Sequence, residues 1–230
     1  MQTQPLAPLM QDTPSLADRA YERLRDAVVD GTLSSGTKLS ERSLAAALEI
    51  SAQPIREALR RLESEGMVET RPRSGTFVAH LDVARLYEMG YIRAVLESAS
   101  AGLAARKAGP ADKAALQARL KAIRVATRQG DAAALAAAND AFHVTLHTIA
   151  GNAFLIRSLQ ALRAYFRIGS MRVLASPDQT RQALAEHAEI VAAVAAGDAE
   201  RAESLMRSHA LRSLDVAFPR PLRHATDPGP

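Results

Sequence analysis

Apolar residues recur at intervals of three and four along most of the chain, and breaks in that pattern divide it into two parts. In the first part, Ser15 and Asp18 make a capping-box-like start to a helix. Leu16, Ala20, Leu24, Ala27 and Val28 mark it, and Gly31 ends it. Ser40 then caps a short helix, with Leu39 and Leu44 at staple spacing; Leu44, Ala47 and Leu48 are its predicted core face. Ser51 repeats the device, with Ile50 and Ile55 as the staple. Pro54 falls in the first turn of the next helix, where its missing N–H removes no intrahelical bond. That helix sets Ile55, Ala58, Leu59 and Leu62 on one face and Gln53, Arg56 and Arg60 on the other. After Gly66, two β-like runs, residues 67–70 and 76–79, are joined by a basic tip, Arg71-Pro72-Arg73-Ser74-Gly75. The pattern is that of a winged helix-turn-helix over residues 15–79. A flexible tail (1–14) carrying Pro5, Pro8 and Pro14 precedes it.

A short linker, residues 80–82, leads to a part that reads as helix throughout. Six helices are predicted, running from Val83 to Ala108, Ala111 to Gln129, Asp131 to Gly151, Ala153 to Ala175, Asp178 to Ala196 and Asp198 to Val216. Gly109-Pro110, Gly130, Gly151, Ser176-Pro177 and Gly197 supply the stops. Connections this short force neighbours to run in opposite directions. The fold class is therefore mainly α: an N-terminal winged helix-turn-helix plus a C-terminal antiparallel six-helix bundle over residues 83–217. Residues 218–230, rich in Pro and Arg, read as a disordered tail.

Composition narrows this further. Alanine supplies much of the 47% apolar content and aromatics make up only 4%, which suits close-packed helices better than a sandwich or barrel. Without cysteine there are neither disulfides nor thiolate metal sites. No apolar run approaches the ~18 residues of a membrane span, and the N-terminus lacks a secretory pattern. A soluble, cytoplasmic protein is expected. The net charge of +4 does not by itself indicate nucleic acid, because residues 1–80 hold ten Lys/Arg against eleven Asp/Glu. A DNA-binding surface must come from charge placed on one face.

The exposed face of the second helix of the pair meets that requirement. Arginine offers a planar fork to guanine or phosphate, and glutamine can pair with adenine. Recognition helices read bases mainly through N-terminal residues, which favours Gln53 and Arg56 over Arg60.

Here a resemblance becomes specific. The segments YERLRDAVVDGTL, LSERSLA, PIREALRRLESEGMV and RPRSGTFV, between Tyr21 and Val78, resemble the DNA-binding domain of the GntR family of bacterial transcription regulators. The resemblance implies DNA contacts for Arg42 and Arg56 and a wing-tip role for Gly75. Arg71, Arg73 and Thr76 flank that tip. In the family an arginine usually follows the serine of the turn; this chain has Ala52, which implies a lost contact and an altered operator preference.

The histidines of the second part carry its chemistry. Asn139 and His143 are four apart and share a helix face; His187 and His209 lie on the last two helices. Taken alone, scattered helical histidines are usually core or surface residues. Residues 83–215, however, resemble the all-helical FCD effector domain of the FadR-like branch of the same family. The matching segments are RAVLE, NDAFHVTLHTIAGN, HAEIVAAVAAGDAERAESLM and the following His209; the helix count is similar to the VanR-like subgroup. The resemblance implies a divalent metal, zinc or nickel, held by Asn139, His143, His187 and His209. Asn139 stands where an acidic ligand often occurs, so the site is expected to be looser; Asp140 is an alternative ligand, and His147 shares the face.

Arg93 has two readings. In one it clamps a small carboxylate effector against the metal. In the other it pairs with Glu97, one turn on, on a solvent-facing helix. Arg163, Tyr165, Arg167 and Arg172 are further effector candidates.

The leading expectation is a homodimeric, ligand-responsive regulator on a palindromic operator. A helical metalloenzyme with a DNA-binding appendage is the alternative, weakened by the lack of HExxH, a nucleophile elbow or a paired acid and base. Non-specific nucleoid binding fits poorly with the balanced charge of residues 1–80.

Overall fold

The computed structural model describes residues 14–80, 82–162, 169–170 and 172–219. The chain divides after His80 into two compact units.

In the first unit, α1 (Leu16–Val29) opens with the capping box of Ser15 and Asp18. Strand β1 (Lys38–Leu39) precedes α2 (Glu41–Ala47), which the Ser40 side chain caps at the Ser43 N–H. Helix α3 (Ala52–Ser64) buries Ile55, Ala58, Leu59 and Leu62, as the pattern required. Two expectations fail locally. Ala45, not Ala47, is the buried residue of α2, with Leu44 and Leu48 half-buried. Ser51 occupies the cap position of α3 without a side-chain hydrogen bond.

Both helix ends close by one device. Met67 N–H donates to Leu62 O beyond the left-handed Gly66 (φ 73°), and Ile50 N–H donates to Ala45 O beyond Glu49 (φ 55°). Glu49 holds that conformation against the steric penalty of its Cβ, so the turn between α2 and α3 is set by packing.

Strands β2 (Val68–Arg71) and β3 (Gly75–Val78) form the wing hairpin. Strand β1, which the sequence pattern did not mark, pairs on the far side of β3. The antiparallel order is β1-β3-β2, with Lys38 opposite Phe77 and Val68 opposite Val78. Tyr21 ties α1 to α3: its hydroxyl donates to Glu65 at 2.7–2.9 Å, and the Arg61 guanidinium lies over its ring at 3.7 Å.

In the second unit, α4 (Val83–Lys107), α5 (Pro110–Gln129) and α6 (Ala132–Ala150) are followed by α7 (Ala153–Ala161). Then come α8 (Pro177–Ala196) and α9 (Ala199–Ala217). Asp82, Asp131, Asn152, Ser176 and Asp198 cap helices with their side chains, while Gly130, Gly151 and Gly197 end them in the left-handed conformation. The fourth predicted helix does not run unbroken to Ala175. It ends at Ala161, and helical backbone resumes at residues 169–170 and 172–174. Phe218, assigned by sequence to a disordered tail, is buried, with Arg172 over its ring at 5.0 Å.

Helix α4 packs along α9. A Cβ on Gly90 would sit 2.2 Å from Leu214 Cδ1 and 3.2 Å from its Cγ, so the pair needs that glycine to approach this closely; at Gly102 the contact is milder, with the Ala199 carbonyl oxygen at 3.3 Å and a movable Glu203 carboxylate oxygen at 2.9 Å. Ala101, Leu116, Phe142, Leu146, Ile190, Val194 and Met206 form the common core.

Replacing Tyr21 by Phe should remove the hydrogen bond to the half-buried Glu65 carboxylate. A loss of about 1.5–3 kcal/mol is expected in urea unfolding of the winged unit, and an unchanged midpoint would contradict this account of the α1–α3 contact.

Candidate functional site

Each unit carries its own candidate site. In the winged unit, Arg42, Gln53, Arg56 and Arg60 are all exposed. Gln53 Nε2 donates to Glu57 one turn along α3, and Arg56 Nε lies 3.1 Å from Glu41 of α2, with both partners half-exposed. Glu41 thus aligns the arginine from the neighbouring helix, a role that only the tertiary turn reveals. In the wing, Arg71 Nε donates to Glu69 and its guanidinium lies over Phe77. Arg73 stands exposed at the tip with φ 61°, and Gly75 adopts φ 107°. A Cβ on Gly75 would come within 3.1 Å of Lys38 Cε, which places a further cation beside the wing tip. Lys38 escaped the sequence reading because its position depends on the two-residue strand β1. Thr76 is half-buried, with its hydroxyl 3.3 Å from that of Thr70.

In the helical unit, α6, α8 and α9 bring His143, His187 and His209 together. All three are buried, and one ring nitrogen from each lies within 4.8 Å of the others. Neither ring nitrogen of the fully buried His187 has a hydrogen-bond partner among the described residues. Burial, joined by the neighbouring His209 and His143, holds the His187 pKa well below the usual imidazole range. Burial also lowers that of His143, partly offset by Glu97. Neutral imidazoles with available lone pairs are what a divalent ion needs, so the donor set fits a metal. Asn139, one turn before His143, is buried in the wall of a cavity of about 60 Å³ that Arg93 and His209 also line. Asp140, the alternative ligand, belongs to neither group of potential ligands found among the described residues; it acts electrostatically on Arg93 instead.

Of the two readings of Arg93, the pairing with Glu97 is present in altered form. The arginine forms an ion pair with Glu97, yet the pair is buried in the bundle and not on a solvent-facing helix, and Arg93 faces the cavity. Glu97, 1% exposed, also lies 3.3 Å from His143 Nδ1 and 3.4 Å from His147 Nε2. Glu97, His143 and His147 form a second group of potential ligands. Burial would raise the Glu97 carboxyl, but the Arg93 charge and the two histidines hold it well below the carboxylate range.

On the far side, Glu186 receives His209 Nδ1 at 2.6 Å and a fork from Arg212 at 2.6 and 2.7 Å. Burial would raise this carboxyl, yet those bonds bring its pKa down to about 2. The roles of Glu97 and Glu186 were not read from sequence; Glu97 entered only as the residue four after Arg93, and Glu186 did not enter at all. Arg172 donates to Ala217 O and stacks on Phe218; Arg163, Tyr165 and Arg167 lie outside the described residues.

Comparison with known proteins agrees for both units. Residues 16–78 match the family described as "Bacterial regulatory proteins, gntR family", and residues 85–212 match the FCD domain. The chain is 35% identical over 185 residues to a Paenarthrobacter nicotinovorans protein named "Probable D-xylose utilization operon transcriptional repressor", covering 79% of this chain and 80% of that one. It is 30% identical over 191 residues to an HTH-type transcriptional regulator in an unstable DNA locus of Streptomyces ambofaciens, covering 82% and 79% of the two chains. The solved structure of E. coli McbR/YncC has the same fold, with a TM-score of 0.72, 24% identity and coverage of 90% and 98%. The chain belongs to the GntR family, with an FCD domain as its second unit, and is a DNA-binding transcription regulator and not an enzyme.

Proposed function

We propose that this regulator binds a palindromic operator as a homodimer in the cytoplasm, and that a small carboxylate held at a metal centre in the helical unit changes its affinity for DNA. The observation that carries the reading is the buried meeting of His143, His187 and His209 beside a cavity walled by Arg93 and Asn139. Residues that bury three imidazoles without partners for His187 destabilise the fold unless something occupies them. Zinc or nickel, once bound, would act as a Lewis acid toward an effector oxygen. Arg93 would hold the carboxylate by charge-assisted hydrogen bonds, and the apolar walls of the cavity, Leu86, Met89, Val173 and Leu214 among them, would exclude water from it. Helix α4, which carries Arg93, is the first helix after the winged unit along the chain, so a change in its position is passed to the segment that leads to DNA.

Assembly has its own support. Tyr91, Ile92 and Val95 expose 43%, 54% and 38% of their surface along one side of α4, at a spacing that makes an apolar stripe suited to a second copy. At the DNA face, Arg56, with Gln53 and Arg42, would read the major groove, while Arg71 and Arg73 approach the backbone or minor groove.

Four outcomes are expected. On a duplex selected from random sequence, Arg56→Ala should lose about 1–3 kcal/mol of specific affinity by fluorescence anisotropy. Arg73→Ala should weaken all duplexes alike and flatten the salt dependence. A folded Arg56→Ala protein that binds the selected duplex unchanged contradicts the recognition-helix assignment. Light scattering should report a dimer of the 24.6 kDa chain that Ile92→Glu with Val95→Glu converts to monomer; a dimer that persists in the double variant removes α4 from the interface. Finally, His187→Ala and Arg93→Ala should each abolish the carboxylate's influence on DNA while leaving carboxylate-free affinity nearly intact. Full response in either variant places the sensor elsewhere, and loss of DNA binding in both means the centre serves folding.

A further inference from the structure

Two chains of charge end on the histidine cluster from opposite sides, and they have the same order. On one side Arg93 pairs with Glu97, whose Oε2 lies 3.3 Å from Nδ1 of His143, at ion-pair distance but short of hydrogen-bond alignment. On the other, Arg212 grips Glu186 with two nitrogens, and Glu186 Oε2 lies 2.6 Å from Nδ1 of His209. Gln179 accepts from the same Arg212, which fixes the guanidinium between α8 and α9. His187, between them in the cluster, has no hydrogen-bond partner among the described residues and no carboxylate beside it within ion-pair distance.

An ionised carboxylate only accepts. A histidine nitrogen turned to it therefore carries the proton, and the other nitrogen of the ring keeps its lone pair. Carboxylate contacts of this kind fix the tautomer and orientation of metal-ligating imidazoles and raise their basicity. The arginines complete the logic: each neutralises its carboxylate and holds it in place, so a buried negative charge is not left unbalanced.

We propose that Glu97 and Glu186 are positioning residues of the metal centre, presenting His143 and His209 to the ion through Nε2 by engaging Nδ1. The inference rests on the metal reading above and adds two residues that no part of the ligand pattern contains. Glu97 could in principle bind a cation directly with His143 and His147, but the Arg93 guanidinium already occupies its Oε1 and would repel a second cation there. Because Arg93 also lines the cavity, a carboxylate that draws on Arg93 alters the hold on Glu97 and, through it, on His143.

The test uses the full chain, zinc and a competing chelator, with four proteins: parent, His187→Ala, Glu97→Gln and Glu186→Gln. The parent should bind zinc and His187→Ala should not. Each glutamine variant should bind about 10–100-fold more weakly than the parent. Nitrogen-15 spectra of zinc-loaded parent should show His143 and His209 protonated at Nδ1 and zinc-bound at Nε2, a signature that a merely structural role would not produce. Parent-like zinc affinity in both glutamine variants, or zinc on Nδ1 of either histidine, overturns the proposal while leaving the metal site standing. A parent that binds no zinc, or a His187→Ala protein that binds as tightly, overturns the metal reading and this inference together. Should circular dichroism show a glutamine variant unfolded, the parent spectra decide alone.

Discussion

The close approach of α4 to α9 is the constraint on which the helical unit depends. Gly90 leaves no room for a side chain where Leu214 stands, and Gly102 lies close to the Ala199 carbonyl. With the two backbones this near, Arg93 and Glu97 of α4 face the interior that His209 enters from α9. A wider spacing would admit water to the Arg93–Glu97 pair and dissolve the reason for its burial. The small residues of α4 therefore matter for chemistry as well as packing: they make the low-dielectric space in which charges and imidazoles act strongly on one another.

That interior is costly by itself. Three histidines, a glutamate and an arginine are removed from water, and His187 is offered no protein partner among the described residues. Such a cluster is tolerated where charges are paired and where a ligand completes the set. The winged unit obeys a gentler rule. The arginines of α3 and the wing stay at the surface and are aligned by neighbours, Arg56 by Glu41 and Arg71 by Glu69, so they are held in place with little desolvation. Exposed pairs of this kind contribute little stability, so the arginines can be drawn from them at small cost.

What could be read in the sequence was what is local. Helix starts at Ser15, Ser40 and Asp198 and stops at Gly130, Gly151 and Gly197 depend on a few neighbouring atoms, and the structure has them where the residues indicate. The core face of α3 follows from spacing alone. Errors arose where a distant element decides. Strand β1 exists only because β3 is beside it, and Ala45 is buried where Ala47 was expected. The end of α7 at Ala161 has no glycine or proline to announce it, and Phe218 folds back although prolines follow it in the chain. At the site, the histidines were visible through their helical spacing and the family resemblance. Their carboxylate partners were not, since contacts such as His209 to Glu186 join different helices and leave no periodic trace.

A single linkage measurement bears most directly on the whole account. A carboxylate chosen for the largest thermal stabilisation of the zinc-loaded chain would be titrated by calorimetry with and without the selected operator duplex. Coupling between sites is reciprocal, so the duplex should change carboxylate affinity by the same factor that the carboxylate changes duplex affinity, about 5–150-fold. Carboxylate affinity that is identical with and without the duplex would contradict the claim that the helical unit controls DNA binding.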